Sequence, residues 1–345
     1  MSAGEHMAAE IAEQPDVWQR LLDGSPDRLI AVARRIQESR PRFVLLTARG
    51  TSDHAALYAK YLVEIVLGLP AGLVSPSTTT VYGARPDLRD VLLLAISQSG
   101  GSPDLVQTVE AARTAGALTV AVTNNPGSAL DGAAELHLDV EAGVERAVAA
   151  TKSYTAELLM LYLLVATVAE RERTAVRRLP DWGSRVLAEE PRVSALSKRL
   201  HPLERLMVTG RGYAYATARE AALKLMETCY ISAQAFSGAD LMHGPLALVE
   251  AEIPILAVTS AGKGGVALRP TLQKLHDAGG RVFCVGSFGL TEGALPDVPL
   301  PREVPEEIAP MLEILPFQQL SLSLALARGV DPDAPRGLSK VTETL

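Results

Sequence analysis

One order of strand, turn and helix occurs twice in this 345-residue chain, about 162 residues apart, and the repeat constrains the fold more than any other feature. Arg42 to Thr47 is a short β-type run closed by Arg49-Gly50 and then Thr51-Ser52. Apolar residues at helical spacing follow from Ala55 to Leu67. Val91 to Ile96 is a near-continuous apolar run, the mark of a strand buried on both faces. It passes through Ser97-Gln98-Ser99-Gly100-Gly101-Ser102 into a helix from Pro103 to Thr114. Leu118 to Val122 makes a third strand, ending at Thr123-Asn124-Asn125-Pro126, and Leu136 to Val140 a weaker fourth. In the second half Leu206 to Gly212 answers Val44 to Gly50, Pro254 to Thr259 answers Leu92 to Ser97, and Val282 to Val285 answers Thr119 to Val122. Strand, turn, helix, strand in series predicts parallel pairing with right-handed crossovers. The fold class is therefore α/β, two tandem copies of a doubly wound, mainly parallel sheet flanked by helices in an αβα sandwich, with a C-terminal tail.

The length supports two domains of ordinary size. The expected division is an N-terminal helix over 1–25, a first domain over 26–175, a linker over 176–190, a second domain over 191–328 and a tail over 329–345. The join falls near Arg171 to Pro191, where charge, Pro180 and Gly183 interrupt the pattern. Hydrophobic residues are 48% and aromatic residues only 4%, so Ala, Val and Leu must build the cores. The formal charge is −7 and no Lys/Arg block stands out, which argues against nucleic acid. Cys229 and Cys284 lie in apolar runs without C-x-x-C spacing and read as buried free thiols. Glu5, Glu10, Glu13 and Asp16 break any signal-peptide pattern, and no apolar run is long enough to span a membrane. The expected location is the cytoplasm.

Ligands of open α/β sheets gather at the carboxyl ends of the strands, and Ser97, Gln98, Ser99 and Ser102 occupy such an end. Gly100 and Gly101 permit close backbone approach, while Ser102-Pro103 reads as an N-cap followed by proline at the first helical position. Helix amides and dipole there favour a doubly charged anion, to which Ser52 can add another hydroxyl. No Gly-Lys-Ser/Thr or dinucleotide fingerprint follows, so neither a nucleoside triphosphate nor a dinucleotide is expected. A polar turn with an ordinary cap is the alternative. The second copy carries Thr259-Ser260-Ala261-Gly262-Lys263-Gly264-Gly265 instead, so binding and chemistry are expected to divide between the halves.

Glu220, Lys224 and Glu227 are spaced to share one helical face. A solvated ion-pair stripe has the same spacing, but Ala221, Ala222, Leu223, Leu225 and Met226 leave little room for an exposed one. His243 sits in Asp240-Leu241-Met242-His243-Gly244-Pro245, where a lone histidine is structural or catalytic. Lys340 lies in a terminal segment where a lysine is ordinarily solvated. No His, Cys or acid cluster has ligand spacing, and no metal is expected.

Taken together these segments resemble the sugar isomerase (SIS) family. The resemblance is greatest to the isomerase half of glucosamine-6-phosphate synthase and to stand-alone glucosamine-6-phosphate deaminases. It rests on Ile11-Ala12-Glu13-Gln14-Pro15, Gly50-Thr51-Ser52, Ile96 to Gly100, Ala150-Thr151-Lys152, Glu220 to Ile231, His243 to Leu248, and Arg328-Gly329-Val330-Asp331 to Lys340. It implies tandem SIS domains and a sugar phosphate held by Ser52, Ser97, Gln98, Ser99 and Ser102, with Val148 lining the sugar site. It implies Glu227 as the base moving a proton between C1 and C2, and His243 as an aid to ring opening. Lys340 would act near the carbonyl as a Schiff-base or ring-opening group, with Glu220 and Lys224 tuning charge. Such chemistry needs no cofactor. The resemblance further implies a homodimer with its active site at or near the subunit interface.

Three positions depart from the synthase pattern: Met242 stands in place of lysine, Gln234 in place of an acid and Ala150 in place of serine. Ser2 follows Met1, and no glutaminase segment with its cysteine nucleophile is read. The expected reaction is therefore glucosamine 6-phosphate to fructose 6-phosphate plus ammonia, through an enediol and an imine. The alternatives are a lyase, dehydratase or deglycase acting on N-acetylglucosamine 6-phosphate or fructoselysine 6-phosphate, and a non-catalytic sugar-phosphate sensor.

Overall fold

A computed structural model describes residues 2–340; residues 341–345 of the expected tail lie outside the described residues. The first half builds β1 (Phe43–Thr47), β2 (Ala71–Leu73), β3 (Val91–Ser97), β4 (Leu118–Thr123) and β5 (Leu136–Asp139). The second builds β6 (Arg205–Gly210), β7 (Ser232–Ser237), β8 (Ile255–Thr259), β9 (Val282–Gly286) and β10 (Val298–Pro299). Each half forms one five-stranded parallel sheet, in the orders β2-β1-β3-β4-β5 and β7-β6-β8-β9-β10. The α/β expectation holds.

The duplication extends to register. Val44 pairs with Ala71 and Leu45 with Leu93; 162 residues further on in each strand, Leu206 pairs with Ala233 and Met207 with Ile255. The strands that sequence periodicity missed, β2, β7 and β10, all lie at sheet edges. Edge strands are short or polar because only one neighbour pairs with them, and Ser232–Ser237 reads Ser-Ala-Gln-Ala-Phe-Ser. β3 is buried from Leu92 to Ser97, as its near-continuous apolar run predicts, and β4 and β8 are buried at every residue.

By contacts the chain divides into two compact units that interleave in sequence. Of the described residues, one takes 2–15, Arg146–Thr151 and Ala175–Leu338; the other takes Asp16–Glu145, Lys152–Thr174 and 339–340. Residues 146–151, expected within the first domain, thus pack with the second half. The segment read as a linker, 176–190, is largely helical. Pro180 lies in the first turn of the helix Leu179–Leu187, where its missing N–H costs nothing, and Gly183 and Trp182 are buried in it.

Each unit is organised on a helix that is apolar nearly all round. In the N-terminal unit this is Lys152–Val168, buried from Lys152 to Ala166 and packed on the helices Asp27–Ser39 and Thr51–Leu62. In the C-terminal unit it is Ala309–Ala327, packed on Ala214–Cys229 and Glu190–Leu200. Polar side chains inside that unit are tied together. The Gln14 amide, fully buried, donates to Ile11 O at 3.1 Å and to Gln318 Oε1 at 2.7 Å, and Gln318 donates to Thr151 O at 3.3 Å. The Glu10 carboxylate receives the Arg146 and Ala147 amides, and Asp333 receives those of His6 and Met7 at 2.9 and 2.8 Å. The Gln14 of the Glu-Gln-Pro segment is thus a structural residue that holds 146–151 through Gln318.

Removing it leaves Gln318 Oε1 buried without that donor, and Gln14→Ala is expected to lower stability by about 1–3 kcal/mol in urea unfolding. An unchanged midpoint would contradict this role.

Candidate functional site

In the N-terminal sheet the strand order reverses between β1 and β3, so their crossovers leave on opposite faces and open a crevice at their carboxyl ends. Residues 97–102 close β3 and lead into the helix Pro103–Thr114. Gly100 adopts a φ of 64°, which favours glycine. The Gly100 amide donates to Ser97 Oγ at 3.1 Å and the Gly101 amide to Ser99 Oγ at 3.3 Å. Each hydroxyl oxygen thus accepts from the backbone, which leaves its own proton to donate outward. Asn125 Nδ2 fixes Ser99 O at 3.2 Å, and the Asn124 amide fixes Gln98 O at 3.1 Å. Ser97 is buried, and Gln98 and Ser99 are half-buried. Ser102 takes the N-cap position with Pro103 next, as its sequence predicts, but its hydroxyl makes no capping hydrogen bond.

Ser52, in the first turn of the helix Thr51–Leu62, is buried and donates to Glu157 Oε1 at 2.9 Å. Arg49, two residues beyond β1, reaches the first turn of Pro103–Thr114 and pairs with Asp104. Lys340 is not a solvated terminal lysine: its Nζ lies 2.7 Å from Glu145 Oε2, a carboxylate that also receives the Ser153 amide and hydroxyl at 3.1 and 2.7 Å. Arg49, Asp104, Glu145 and Glu157 carried no local sequence signal, because each finds its partner far along the chain.

The C-terminal unit treats the equivalent turn differently. Gly212 and Gly262 repeat the positive φ of Gly50 and Gly100, each 162 residues on. Here the amides of Lys263 and Gly264, at the start of the helix Lys263–Asp277, donate to the Glu306 carboxylate at 2.8 and 2.7 Å. The chain supplies its own anion at this end.

The same unit holds Glu220, Lys224 and Glu227 on one face of Ala214–Cys229, and the face is not solvated. Glu220 and Lys224 side chains are fully buried, while that of Glu227 is 21% exposed. Lys224 Nζ lies 2.5 Å from Glu227 Oε2 and 3.4 Å from Glu220 Oε1. Burial alone would push the lysine down, but the two carboxylates more than offset it and hold its pKa above the usual lysine value. Lys224 is therefore an ammonium that orients Glu227, and a depressed imine-forming lysine is not what this position offers. His243 is exposed, following the short 3₁₀ turn Asp240–Met242. Val148 is half-buried in the segment Arg146–Thr151. Cys229 and Cys284 are buried, and burial pushes their thiols up to about 11 and about 12, away from reactivity. Among the described residues no helix is long and apolar enough to cross a membrane.

The SIS domain model matches residues 39–167 and 199–270, one segment in each half, and the chain belongs to the SIS domain family. A candidate phosphosugar isomerase from Silicibacter pomeroyi is 34% identical, with a TM-score of 0.86 over 95% of this chain and 99% of that one. The C-terminal domain of glucosamine-fructose-6-phosphate aminotransferase from Francisella tularensis is 25% identical, with a TM-score of 0.85 over 95% and 97% of the two chains. The isomerizing glutamine–fructose-6-phosphate aminotransferase of Methanothermobacter thermautotrophicus is 34% identical over 97% of this chain and 56% of its own length. The chain thus spans little more than half the length of the curated relatives it matches.

Glu313 adds a titrating group. It is buried within Ala309–Ala327, where the Ser260 and Thr217 hydroxyls donate to its carboxylate. Burial pushes its carboxyl up to about 7 from an ordinary 4.5. The folded state keeps this proton where the unfolded chain has released it, so stability falls as pH rises from about 4.5 to 7. Glu313→Gln cannot ionise, and its stability relative to the unaltered protein should rise by roughly 3 kcal/mol between pH 5 and pH 8. Urea unfolding at the two pH values measures it, and a constant difference would contradict it.

Proposed function

We propose that this protein is a phosphosugar isomerase that works as a deaminase, converting glucosamine 6-phosphate and water to fructose 6-phosphate and ammonia. The observation that carries this reading is Glu227. It is the partly exposed carboxylate of a buried cluster, paired at 2.5 Å with the Lys224 ammonium. The names of the relatives, isomerizing aminotransferase and phosphosugar isomerase, support the general class of reaction. Release of ammonia is the finer claim.

The turn supplies the hydroxyls of Ser97, Ser99 and Ser102 and the amide of Gln98 to the phosphate. Ser97 and Ser99 are polarised as donors because their oxygens already accept backbone N–H groups. Ser52, expected on the phosphate from the resemblance, has its proton on Glu157 and so offers its oxygen to a sugar hydroxyl instead. Val148 lines the sugar. His243 protonates and opens the ring. Glu227 then takes the proton from C2 of the open aldose and returns it to C1, while O1 gains a proton and the C2 nitrogen gives one up, leaving C1 as an alcohol and C2 as an imine. Water adds to C2, ammonia leaves, and the ketone remains. Glu220 and Lys224 keep Glu227 in position, and Lys340, aligned by Glu145, acts at the carbonyl end. General-base transfer of this kind contributes about 10²–10⁴ in rate.

A panel of hexose, hexosamine and N-acetylhexosamine 6-phosphates, read by mass spectrometry with a coupled ammonia assay, tests the proposal. Glucosamine 6-phosphate should yield equal fructose 6-phosphate and ammonia. Glu227→Gln should lower turnover by about 10²–10⁴ with little change in substrate affinity. Loss of water from the acetylated sugar without ammonia would make the enzyme a dehydratase. Tight binding with no turnover of any substrate would make it a sensor.

A further inference from the structure

Asp104 is an unexpected residue at an anion-binding end. It is 1% exposed and sits in the first turn of Pro103–Thr114, directly behind the serine turn. Its Oδ1 accepts the Leu105 amide at 2.8 Å, so it competes for the helix N-terminus from inside the protein. A carboxylate there suits the helix dipole but opposes a phosphate arriving at the same end, because two anions then share one positive pole. The opposition is met by Arg49. Its Nε and Nη2 both reach Asp104 Oδ2, at 2.8 and 2.6 Å, while the arginine side chain remains 46% exposed. Arg49 follows β1 and Asp104 follows β3, so the pair spans the point where the strand order reverses, beside the crevice.

We propose that Arg49 is a positioning residue of the phosphate site, acting through Asp104: it cancels the buried carboxylate and so lets the turn accept a dianion. This rests on the reading of residues 97–102 as the phosphate turn. Arg49 needs no contact with the substrate in this role. The second half supports the same electrostatic logic in reverse. Arg211 is the counterpart of Arg49, 162 residues on, while Val266 stands at the position of Asp104. There the helix amides carry the Glu306 carboxylate, and no acid stands at the position of Asp104.

A double-variant cycle with inorganic phosphate as the probe decides the matter. Glycine-labelled protein is titrated at low ionic strength, following the Gly100 and Gly101 amide resonances. R49A should weaken phosphate binding about tenfold, since the uncancelled carboxylate faces the anion, and added salt should shrink that loss. D104N should bind at least as well as the unaltered protein, and R49A/D104N should return to within about threefold of D104N. R49A binding as tightly as the unaltered protein overturns the inference. So does a double variant as weak as R49A, because the arginine then acts on the anion itself. Should R49A not fold, D104N against R49A/D104N alone decides: equal affinities support the inference, and a further loss overturns it. If the glycine amides of the unaltered protein ignore phosphate altogether, the phosphate-turn reading fails first and the inference fails with it, a pattern distinct from the others.

Discussion

Helix N-termini at the carboxyl ends of two parallel sheets present amide groups that need a negative or accepting partner, and much of this molecule is arranged around meeting that need. The two halves, built on one pattern, meet it in different ways. The C-terminal unit brings Glu306 onto the Lys263 and Gly264 amides, which satisfies them permanently. In the N-terminal unit the helix begins only at Pro103, and the turn before it lets serine hydroxyls take the Gly100 and Gly101 amides. A carboxylate meets an amide as an acceptor only; a hydroxyl that accepts from an amide keeps a proton of its own to donate.

The other demanding feature is the charge buried in the C-terminal unit. An isolated ammonium as deep as that of Lys224 would be costly, and breaking such a pair by removing one partner is typically far more damaging than the pair is stabilising. Two carboxylates around one lysine resolve the cost and leave Glu227 partly exposed at one end. Glu313 resolves a similar problem by keeping its proton to near neutral pH, with two hydroxyls against its carboxyl group. Both groups therefore hold their protons, but Lys224 is kept charged and Glu313 neutral. The number of opposite charges within reach decides which.

Much of this was legible in the residues. The central strand β3 is legible as a near-continuous apolar run because both of its faces are covered. The Glu220–Lys224–Glu227 spacing predicts a shared face, but the sequence leaves a solvated stripe and a buried face both open, and the structure decides for burial. The edge strands were not legible: two or three residues, or an alternation as polar as Ser232–Ser237, carry too little periodicity. Pro180 and Gly183 read as breakers, yet Pro180 starts a helix and Gly183 packs inside it, because position within a turn decides what those residues do.

The sequence by itself determined the fold class, the duplication at a constant offset, the serine turn and the helical face, since all of these are local patterns repeated along the chain. Tertiary structure alone decided the partners. Arg49 with Asp104, Lys340 with Glu145, Ser52 with Glu157 and Glu306 with the Lys263 amide join residues between 43 and 195 positions apart. No spacing rule reaches across such separations. Whether a hydroxyl, a carboxylate or an arginine meets a given helix end is set by which loop the sheet topology delivers there, and that is known only when the chain has folded.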